Sequence, residues 1–362
     1  MSSSALRIEG VSKSFGRLEV LKGIDLEIGS GEFFSLLGPS GCGKTTLLNI
    51  LGGLEAPSQG RIVIEGQDVT HLPPERRPTN MVFQSYAIFP HLSVGRNLAY
   101  GLRRRRLPKG EVDRRVARML DLVHLDGMVD RDPAELSGGQ RQRVALARAL
   151  ILEPKVLLLD ESLAALDRRL REAMQVELRQ LQRTVGITFV FVTHDQDEAM
   201  AMSDRIAVMG EGRVLQVADP ARLYHEPNCR AVAEFIGSIN LFPIHRVEDI
   251  ADGLLLEGGP LGAFRLPRRA GELPGRDGLM LAVRPEAIEI VSEKPDDGLN
   301  ALPGRIVESV FLGDRSFLRV AVPEWAHPVV AACPPGRLSE LREAQNVWLT
   351  WKPESGRLLT SR

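Results

Sequence analysis

The stretch GPSGCGKTT, residues 38–46, decides the fold of this chain. It satisfies the pattern G-x-x-x-x-G-K-[ST], follows the apolar run FFSLL (33–37) and precedes the apolar run LLNIL (47–51). Its glycines let successive backbone N–H groups surround phosphate oxygens, because glycine adopts backbone conformations that other residues avoid. A strand, a glycine loop and a helix in this order predict a phosphate site at the helix N-terminus.

The loop supplies charge and a hydroxyl as well as backbone donors. Lys44 brings a positive charge to the β- and γ-phosphates of a nucleoside triphosphate, and the Thr45 hydroxyl can ligate Mg²⁺. Because Cys42 lies within this loop, we expect a thiol reagent to block nucleotide binding if the Cys42 thiolate is accessible. The candidate nucleotide-binding residues of the loop are Gly38, Pro39, Ser40, Gly41, Cys42, Gly43, Lys44, Thr45 and Thr46.

Polar residues also stand at the ends of three further apolar runs. Ligand groups of an open α/β sheet lie at the carboxyl ends of its strands, so these residues are expected beside the phosphate loop. We expect Asp160 to hold magnesium, Glu161 to orient or deprotonate the attacking water, and His194 to reach the γ-phosphate. A histidine after a buried strand is more often structural, but the convergence favours a functional role. For Gln84, sensing of magnesium or water and a structural role are equally compatible with the residues alone.

A second glycine-rich segment, LSGGQ (136–140), precedes a run that is typical of a helix. Glycine inside a helix costs roughly 0.5–1 kcal/mol relative to alanine, so a glycine pair is expected at a helix start that a ligand approaches closely. The N–H groups there and the hydroxyl of Ser137 suit a phosphate. The candidate residues are Ser137, Gly138, Gly139 and Gln140.

Hydrophobic periodicity divides the chain into two predicted domains. Early strands alternate apolar and polar residues, which indicates an antiparallel sheet, whereas FFSLL, VLLLD, TFVFVT and RIAVM are nearly all apolar and indicate a covered parallel sheet. From about residue 240 the chain is rich in Gly, Pro and short strands, which predicts a small all-β domain. The predicted boundaries are 1–238 and 239–362.

Composition narrows the class of function. The 362 residues carry a net charge of −1, which argues against a protein that binds nucleic acid by general phosphate attraction. No apolar stretch approaches the roughly 20 residues that cross a bilayer, so any membrane role is expected to come through a partner. The basic run at 103–106 indicates either a solvated surface or a lipid or partner contact. Three distant cysteines fit a reducing compartment.

These motifs and AALD (164–167) occur in the same order as in the ATP-binding subunits of ABC transporters. The chain resembles those subunits over essentially its whole length. The resemblance implies a P-loop NTPase cassette with an antiparallel β subdomain and a helical subdomain (about 86–136). It also implies that two copies pair head to tail, each LSGGQ covering the ATP held by the other copy. It gives Phe15 an adenine-stacking role and Asp167 a role at the interface of the pair. Ala164 stands where the family more often has serine, which leaves one interface contact open.

The C-terminal text points to importers. VRPE (283–286) and GRIVESVFLGDRSFLRVAV (304–322) resemble the oligonucleotide-fold (TOBE-like) regulatory domain of importers fed by a solute-binding protein. VFQSYAIFPHLSV (82–94) and FIGSINLF (235–242) are most similar to the polyamine-import branch; branches for iron, sugar, sulfate or phosphonate share much of this text. The resemblance implies an ATPase that uses ATP and Mg²⁺ on the cytoplasmic face of the inner membrane. Its partners would be a second copy, two permease subunits and, indirectly, a solute-binding protein. A soluble ABC ATPase outside transport is the alternative of another class, although the segment before LSGGQ lacks the heptads of a coiled coil.

Overall fold

A computed structural model describes residues 4–160, 168–268, 278–295, 298–313, 315–337, 341 and 345–360. The chain divides into two compact units, residues 1–220 and 221–362. Among the described residues, no helix is both long enough and apolar enough to cross a bilayer.

The first unit contains two sheets and the helices that cover them. Its strands are β1 (Ser4–Phe15), β2 (Leu18–Gly29), β3 (Phe33–Leu37), β4 (Gln59–Ile64), β5 (Gln67–Asp68), β6 (Thr79–Val82), β7 (Val156–Asp160), β8 (Thr188–Thr193), β9 (Arg205–Gly210) and β10 (Arg213–Ala218). Its α-helices are α1 (Lys44–Gly52), α2 (Val94–Tyr100), α3 (Lys109–Leu122), α4 (Gly138–Leu150), α5 (Arg168–Val185) and α6 (Gln196–Met202). Short 3₁₀ helices span Pro74–Arg76, Gly101–Arg105 and Pro133–Glu135.

The two sheets of this unit have the characters that periodicity predicts. The first is antiparallel, with the order β2-β1-β4-β5. The second has the order β10-β9-β3-β8-β7-β6, and only its edge strand β10 pairs antiparallel. Strands β3 and β8 are buried along their whole length, as expected for a sheet covered on both faces. The predicted parallel core and antiparallel subdomain are both confirmed.

Helices dominate the stretch at about 86–136, which the resemblance to ABC ATP-binding subunits predicts to be a helical subdomain. It contains α2, α3 and two of the 3₁₀ helices. Val94 and Leu98 of α2, Val116 and Leu120 of α3, and Val144 of α4 share one buried apolar cluster. The LSGGQ helix α4 is therefore packed against this stretch by its own apolar face.

The second unit is a small β domain, as the change in composition predicts. Its helices are α7 (Pro220–His225), whose first residue falls in the first unit, and α8 (Arg230–Phe235). Its strands are β11 (Asn240–Pro243), β12 (Arg246–Ile250), β13 (Gly253–Glu257), β14 (Ala263–Leu266), β15 (Met280–Val283), β16 (Glu289–Val291), β17 (Asn300–Phe311), β18 (Ser316–Ala321), β19 (Val329–Cys333), β20 (Asn346–Trp351) and β21 (Gly356–Leu359). Short 3₁₀ helices span Gly259–Leu261, Pro285–Ala287, Pro335–Arg337 and Pro353–Ser355. Trp351 stacks on Phe242 with ring centroids 5.6 Å apart, inside a core shared by several strands.

The division between the two compact units comes earlier in the chain than residue 238, where the sequence predicts it. Residues 221–238 group with the β domain, and Arg284 of the VRPE motif gives the physical reason. Its buried guanidinium donates to the carbonyl oxygens of Tyr224, Ala233 and Gly237, and it lies 4.2 Å from the ring centroid of Tyr224. One buried arginine thus ties α7 and α8 to the β strands, a long-range contact that periodicity does not show.

Candidate nucleotide-binding site

Four adjacent parallel strands, β3, β8, β7 and β6, end at one edge of the second sheet. Their ends are level, because Leu37 pairs with Thr193, Asp160 with Val192, and Leu159 with Val82. Neighbouring strands lie about 4.8 Å apart, so this edge is roughly 14 Å wide from β3 to β6. The phosphate loop follows β3, His194 follows β8, Asp160 ends β7 and Gln84 lies two residues beyond β6. Of the residues that the sequence assigns to one site, the structure therefore places the phosphate loop, His194, Asp160 and Gln84 along the same edge of the sheet.

Lys44 lies at the centre of the phosphate loop. Its Nζ donates to the carbonyl oxygens of Gly38 (2.7 Å) and Pro39 (2.9 Å) and lies 3.7 Å from Cys42 Sγ. The lysine is 5% exposed and Cys42 is 4% exposed, whereas Pro39, Ser40 and Gly41 are exposed. The loop thus presents its backbone to solvent and keeps its charge inside. Alkylation of Cys42 is therefore expected to be slow unless the loop opens.

Two glycines of the loop have no room for a side chain. A Cβ atom at Gly38 would lie 2.4 Å from the carbonyl oxygen of Met209. A Cβ atom at Gly43 would lie 2.6 Å from Leu21 Cδ2, and Gly43 also has a φ of +103°, which L-residues rarely adopt. Glycine is required at these two positions by packing and, for Gly43, also by conformation.

Helix α1 begins directly at Lys44 and is left open for an anion. Within the described residues, no side chain caps its N-terminus. The first N–H groups of a helix lack intrahelical partners, and the helix dipole favours negative charge there. Thr45 and Thr46 lie in this first turn, Thr45 being exposed and Thr46 partly buried. The arrangement fits a phosphate group bound by backbone N–H groups and Lys44.

The oxygen-bearing side chains on this edge fit Mg²⁺. Thr45 offers a hydroxyl, Asp160 a carboxylate, and Gln84 an amide oxygen, and Mg²⁺ prefers such oxygen ligands. Asp160 is partly buried at the end of β7, and Gln84 is exposed. Glu161 and Asp167, together with Ala164, lie outside the described residues, so their predicted roles stay predictions.

His194 is exposed and lies two residues before the start of helix α6. Asp195 caps that helix, since its carboxylate accepts from the N–H groups of Asp197 and Glu198. The buried side chain of Glu198, in the first turn of α6, is a polar group that the sequence did not reveal. Glu198 is 3% exposed and accepts a 2.6 Å hydrogen bond from the Thr193 hydroxyl, and burial raises the pKa of this carboxyl group. Arg171 of α5 pairs with Asp195 at 3.1 Å. The available signal was the spacing T-H-D-x-x-E, in which a cap is followed three residues later by Glu.

Phe15, the predicted adenine contact, ends β1 and is 49% exposed. Lys13 Nζ lies 4.8 Å from the centroid of its ring. An exposed aromatic ring with a cation over one face is available for stacking on its other face. The geometry thus supports a base-stacking role for Phe15, because its exposed ring is not needed to fill the core.

The segment after Gln84 has a strained backbone that Arg148 of α4 holds. Tyr86 and Ala87 have φ values of +61° and +45°, which are uncommon for residues other than glycine. Arg148 donates to the carbonyl oxygens of both residues, at 3.0 and 2.6 Å, and its guanidinium lies 5.2 Å from the Phe89 ring. Burial lowers the pKa of this arginine. The sequence reasoning missed this contact between the LSGGQ helix and the loop that carries Gln84.

The LSGGQ segment starts helix α4 with a capping box. Ser137 Oγ accepts from the N–H of Gln140 at 3.3 Å, and the Gln140 side chain accepts from the N–H of Ser137 at 2.9 Å. Arg141 closes the turn by donating to the carbonyl oxygen of Leu136 at 2.7 Å. The cap uses a lone pair of the serine oxygen and leaves its proton available for a phosphate oxygen. Gly138 and Gly139 follow with no side chain in the way.

Comparisons with known proteins agree with this geometry. Residues 21–164 match the family model described as ABC transporter, and residues 281–359 match the one described as TOBE domain. The spermidine/putrescine import ATP-binding protein PotA of Thermobifida fusca (strain YX) is 46% identical over 98% of this chain and 93% of its own length. This chain belongs to the family of ABC transporter ATP-binding proteins.

Other relatives carry similar names. The putrescine transport ATP-binding protein PotG of Escherichia coli (strain K12) is 45% identical over 87% of this chain and 84% of its own length. A solved structure of cbiO1 from Clostridium perfringens, part of the ABC transporter complex cbiONQ, matches with a TM-score of 0.58 and 32% identity. That match covers 62% of this chain and 91% of the solved chain. The ABC family membership predicted from the order of the motifs is therefore confirmed, as is the predicted C-terminal TOBE domain.

Proposed function

We propose that this chain is the ATP-hydrolysing subunit of a binding-protein-dependent importer whose solutes are polyamines of the spermidine and putrescine type. The observation that carries the ATPase role is the common edge of four parallel strands, where the phosphate loop, Gln84, Asp160 and His194 follow one another. The solute assignment rests on the relatives, whose names specify spermidine and putrescine.

The site would work by holding the triphosphate and orienting water. The N-terminus of α1 and Lys44 bind the β- and γ-phosphates, because both present positive charge to the same place. Thr45, Gln84 and Asp160 would hold Mg²⁺, which, when bound, neutralises negative charge on the phosphates. Glu161 orients or deprotonates the attacking water, and His194 contacts the γ-phosphate.

A second copy would complete the site. In a head-to-tail pair, residues 137–140 of one copy cover the γ-phosphate bound by the other, and Asp167 lies at the interface. Each copy would dock on a permease subunit at the cytoplasmic face of the inner membrane, and a solute-binding protein would deliver the polyamine. ATP and loaded binding protein then favour the same closed state, which couples their affinities reciprocally.

Uptake of labelled spermidine and putrescine tests both parts of this proposal. Cells lacking the chain would be complemented with wild type or with Glu161→Gln, and labelled sulfate uptake would serve as the control solute. We expect wild type alone to restore polyamine uptake, while Glu161→Gln still binds ATP but hydrolyses it orders of magnitude more slowly. Near-normal turnover in that variant would refute the assigned base. Polyamine uptake that never depends on the chain, with its ATPase activity intact, would refute the solute assignment.

A further inference from the structure

Gln142 of the LSGGQ helix has a buried amide that lacks hydrogen-bond partners among the described residues. Its side chain is 0% exposed. Neither Oε1 nor Nε2 is within hydrogen-bonding geometry of any group in the part of the chain that the structure describes. Burying an amide without partners disfavours the folded state, so such a group in a native core requires an explanation.

The other buried amide side chains of the described residues are all bonded. Asn97 donates to the carbonyl oxygens of Phe89, Leu92 and Ser93 and accepts from the N–H of Phe89. Gln182 of α5 donates to two carbonyl oxygens, at 2.7 and 3.1 Å. Asn240 and Asn300 likewise bond to backbone groups of their own unit. Gln142 is therefore the exception among the buried amide side chains of the described residues.

Helix and strand geometry place Gln142 at the carboxyl end of β7. Ala149 of α4 is level with Asn80, whose amide donates to its carbonyl oxygen at 2.6 Å, and Asn80 pairs with Leu157 of β7. Gln142 lies seven residues before Ala149, about 10 Å along a helix. Asp160 lies three residues beyond Leu157, about 10 Å along a strand. The two displacements point the same way, because α4 runs back across the sheet before the chain enters β7.

The apolar neighbours on the same helical face agree with this placement. Leu146 lies one turn after Gln142, on the same face of α4. It shares a buried cluster with Leu159, the residue before Asp160, and with Met174 and Leu178 of α5. The unbonded amide is therefore on the inner face of the helix, one turn closer than Leu146 to the strand end that carries the predicted catalytic carboxylates.

We propose that Gln142 is a positioning residue of the ATPase cycle: its amide gains hydrogen bonds at the carboxyl end of β7 when nucleotide binds, and so fixes the LSGGQ helix against that strand end. Without those bonds the buried amide disfavours the folded state relative to the arrangement in which the bonds form. The inference rests on the proposed ATPase function. It adds an inward-facing contact on α4, distinct from the outward-facing LSGGQ residues that would meet the partner's nucleotide.

Replacing Gln142 with methionine tests the proposal in the full chain, because methionine has a similar length and shape but no polar group. We expect the melting temperature of Gln142→Met without nucleotide to equal or exceed that of wild type. We expect kcat for ATP hydrolysis to fall at least tenfold and the Kd for ATP to rise, because the lost amide bonds form only in the bound state. The rise in melting temperature caused by a non-hydrolysable ATP analogue with Mg²⁺, at concentrations that allow pairing, should be smaller in the variant.

Gln182→Met is the matched control. It removes an amide that is already bonded, so its melting temperature should fall while kcat per folded molecule stays within twofold of wild type. A clear drop in the melting temperature of nucleotide-free Gln142→Met would overturn the proposal, as would a kcat within twofold of wild type. If wild type itself fails to hydrolyse ATP, the proposed function is wrong. The analogue-induced shift still decides the role of Gln142, and equal shifts in wild type and variant would refute it.

Discussion

Two helices of the first unit, α1 and α4, begin at glycine-rich segments but differ in whether a side chain caps their first N–H groups. Helix α1 has no side-chain cap among the described residues, and its first residue, Lys44, is folded into the loop before it. Helix α4 is closed by the reciprocal hydrogen bonds of Ser137 and Gln140. An uncapped start leaves its N–H groups to water or to a ligand from outside the helix, whereas a capped start bonds them within the chain. The difference suits a resident phosphate at α1 and a transient one at α4.

Removing the charge at α1 should have the largest effect of the changes that test this comparison. Lys44→Ala deletes the cation that the loop carbonyls hold in place. Loss of one preorganised charge at a reacting group costs roughly 10²–10³ in kcat, and we expect a loss of that size in steady-state ATP hydrolysis. Lys155→Ala is the control, since Lys155 is exposed just before β7 begins, at the opposite end of the sheet. Equal losses in both variants would show that the effect is not local to the phosphate loop.

A methyl group at Gly43 should come next in size. Gly43→Ala places a Cβ atom 2.6 Å from Leu21 Cδ2 at a φ of +103°, so we expect the free energy of unfolding to fall by about 1–3 kcal/mol, with weaker ATP binding. Gly41→Ala is the matched control, because Gly41 also has a positive φ, of +81°, but no atom within 4 Å of the position that its methyl group would take. Denaturant unfolding of both variants separates the packing cost from the conformational cost. Equal losses would remove packing as the reason for glycine at 43.

Loss of the α4 cap should have a smaller effect. Ser137→Ala removes the acceptor for the Gln140 N–H, and loss of an N-cap costs about 1 kcal/mol. If α4 meets phosphate only when two copies pair, ATP binding to a dilute single chain should be unchanged while hydrolysis at high chain concentration falls. Ser93→Ala is the control, since Ser93 caps α2 in the same manner. A loss of ATP affinity in the dilute single chain would contradict the distinction between the two helix starts.

Local sequence patterns predicted strands of this molecule, but they did not predict the contacts between residues that are distant in the chain. The run FFSLL became β3 and TFVFVT became β8 with the predicted ends, because short apolar segments beside glycine loops have few other stable structures. The contacts that the sequence did not reveal join distant residues. Arg148 holding the loop of Tyr86 and Arg284 holding α7 and α8 both depend on a guanidinium meeting backbone carbonyls. Such contacts have no periodicity, since any carbonyl serves as the acceptor.

The same distinction applies to the site. Gly38, Lys44 and Asp160 could be placed together because topology alone brings strand ends to one edge. Glu198 could not, because its role depends on burial behind His194 and on the Thr193 hydroxyl rather than on a strand end. Gln142 was hidden for a related reason: a glutamine in a helix is ordinarily exposed, and only packing shows that this one is not.

A third helix start on the same edge, α6, gives the smallest effect and sharpens the comparison. Its cap is the carboxylate of Asp195, so the chain itself supplies the anion there, and the buried Glu198 carboxyl group lies one turn inside. Burial is the main reason that the pKa of Glu198 is raised; Asp195 raises it further, whereas the Thr193 hydroxyl, Arg171 and His194 lower it.

A raised carboxyl pKa means that the folded state favours the protonated form of Glu198. The stabilisation from this group is therefore complete below the ordinary pKa of 4.5 and is lost as pH rises through the raised value. Glu198→Gln imitates the protonated form, so its melting temperature should exceed that of wild type at pH 8, and the difference should vanish toward pH 4.5. Asp197→Asn, at an exposed carboxylate one residue earlier, is the control. A difference that stays constant with pH would mean that Arg171 and Thr193 fully compensate the buried charge, and α6 would then be as tolerant of an anion as α1.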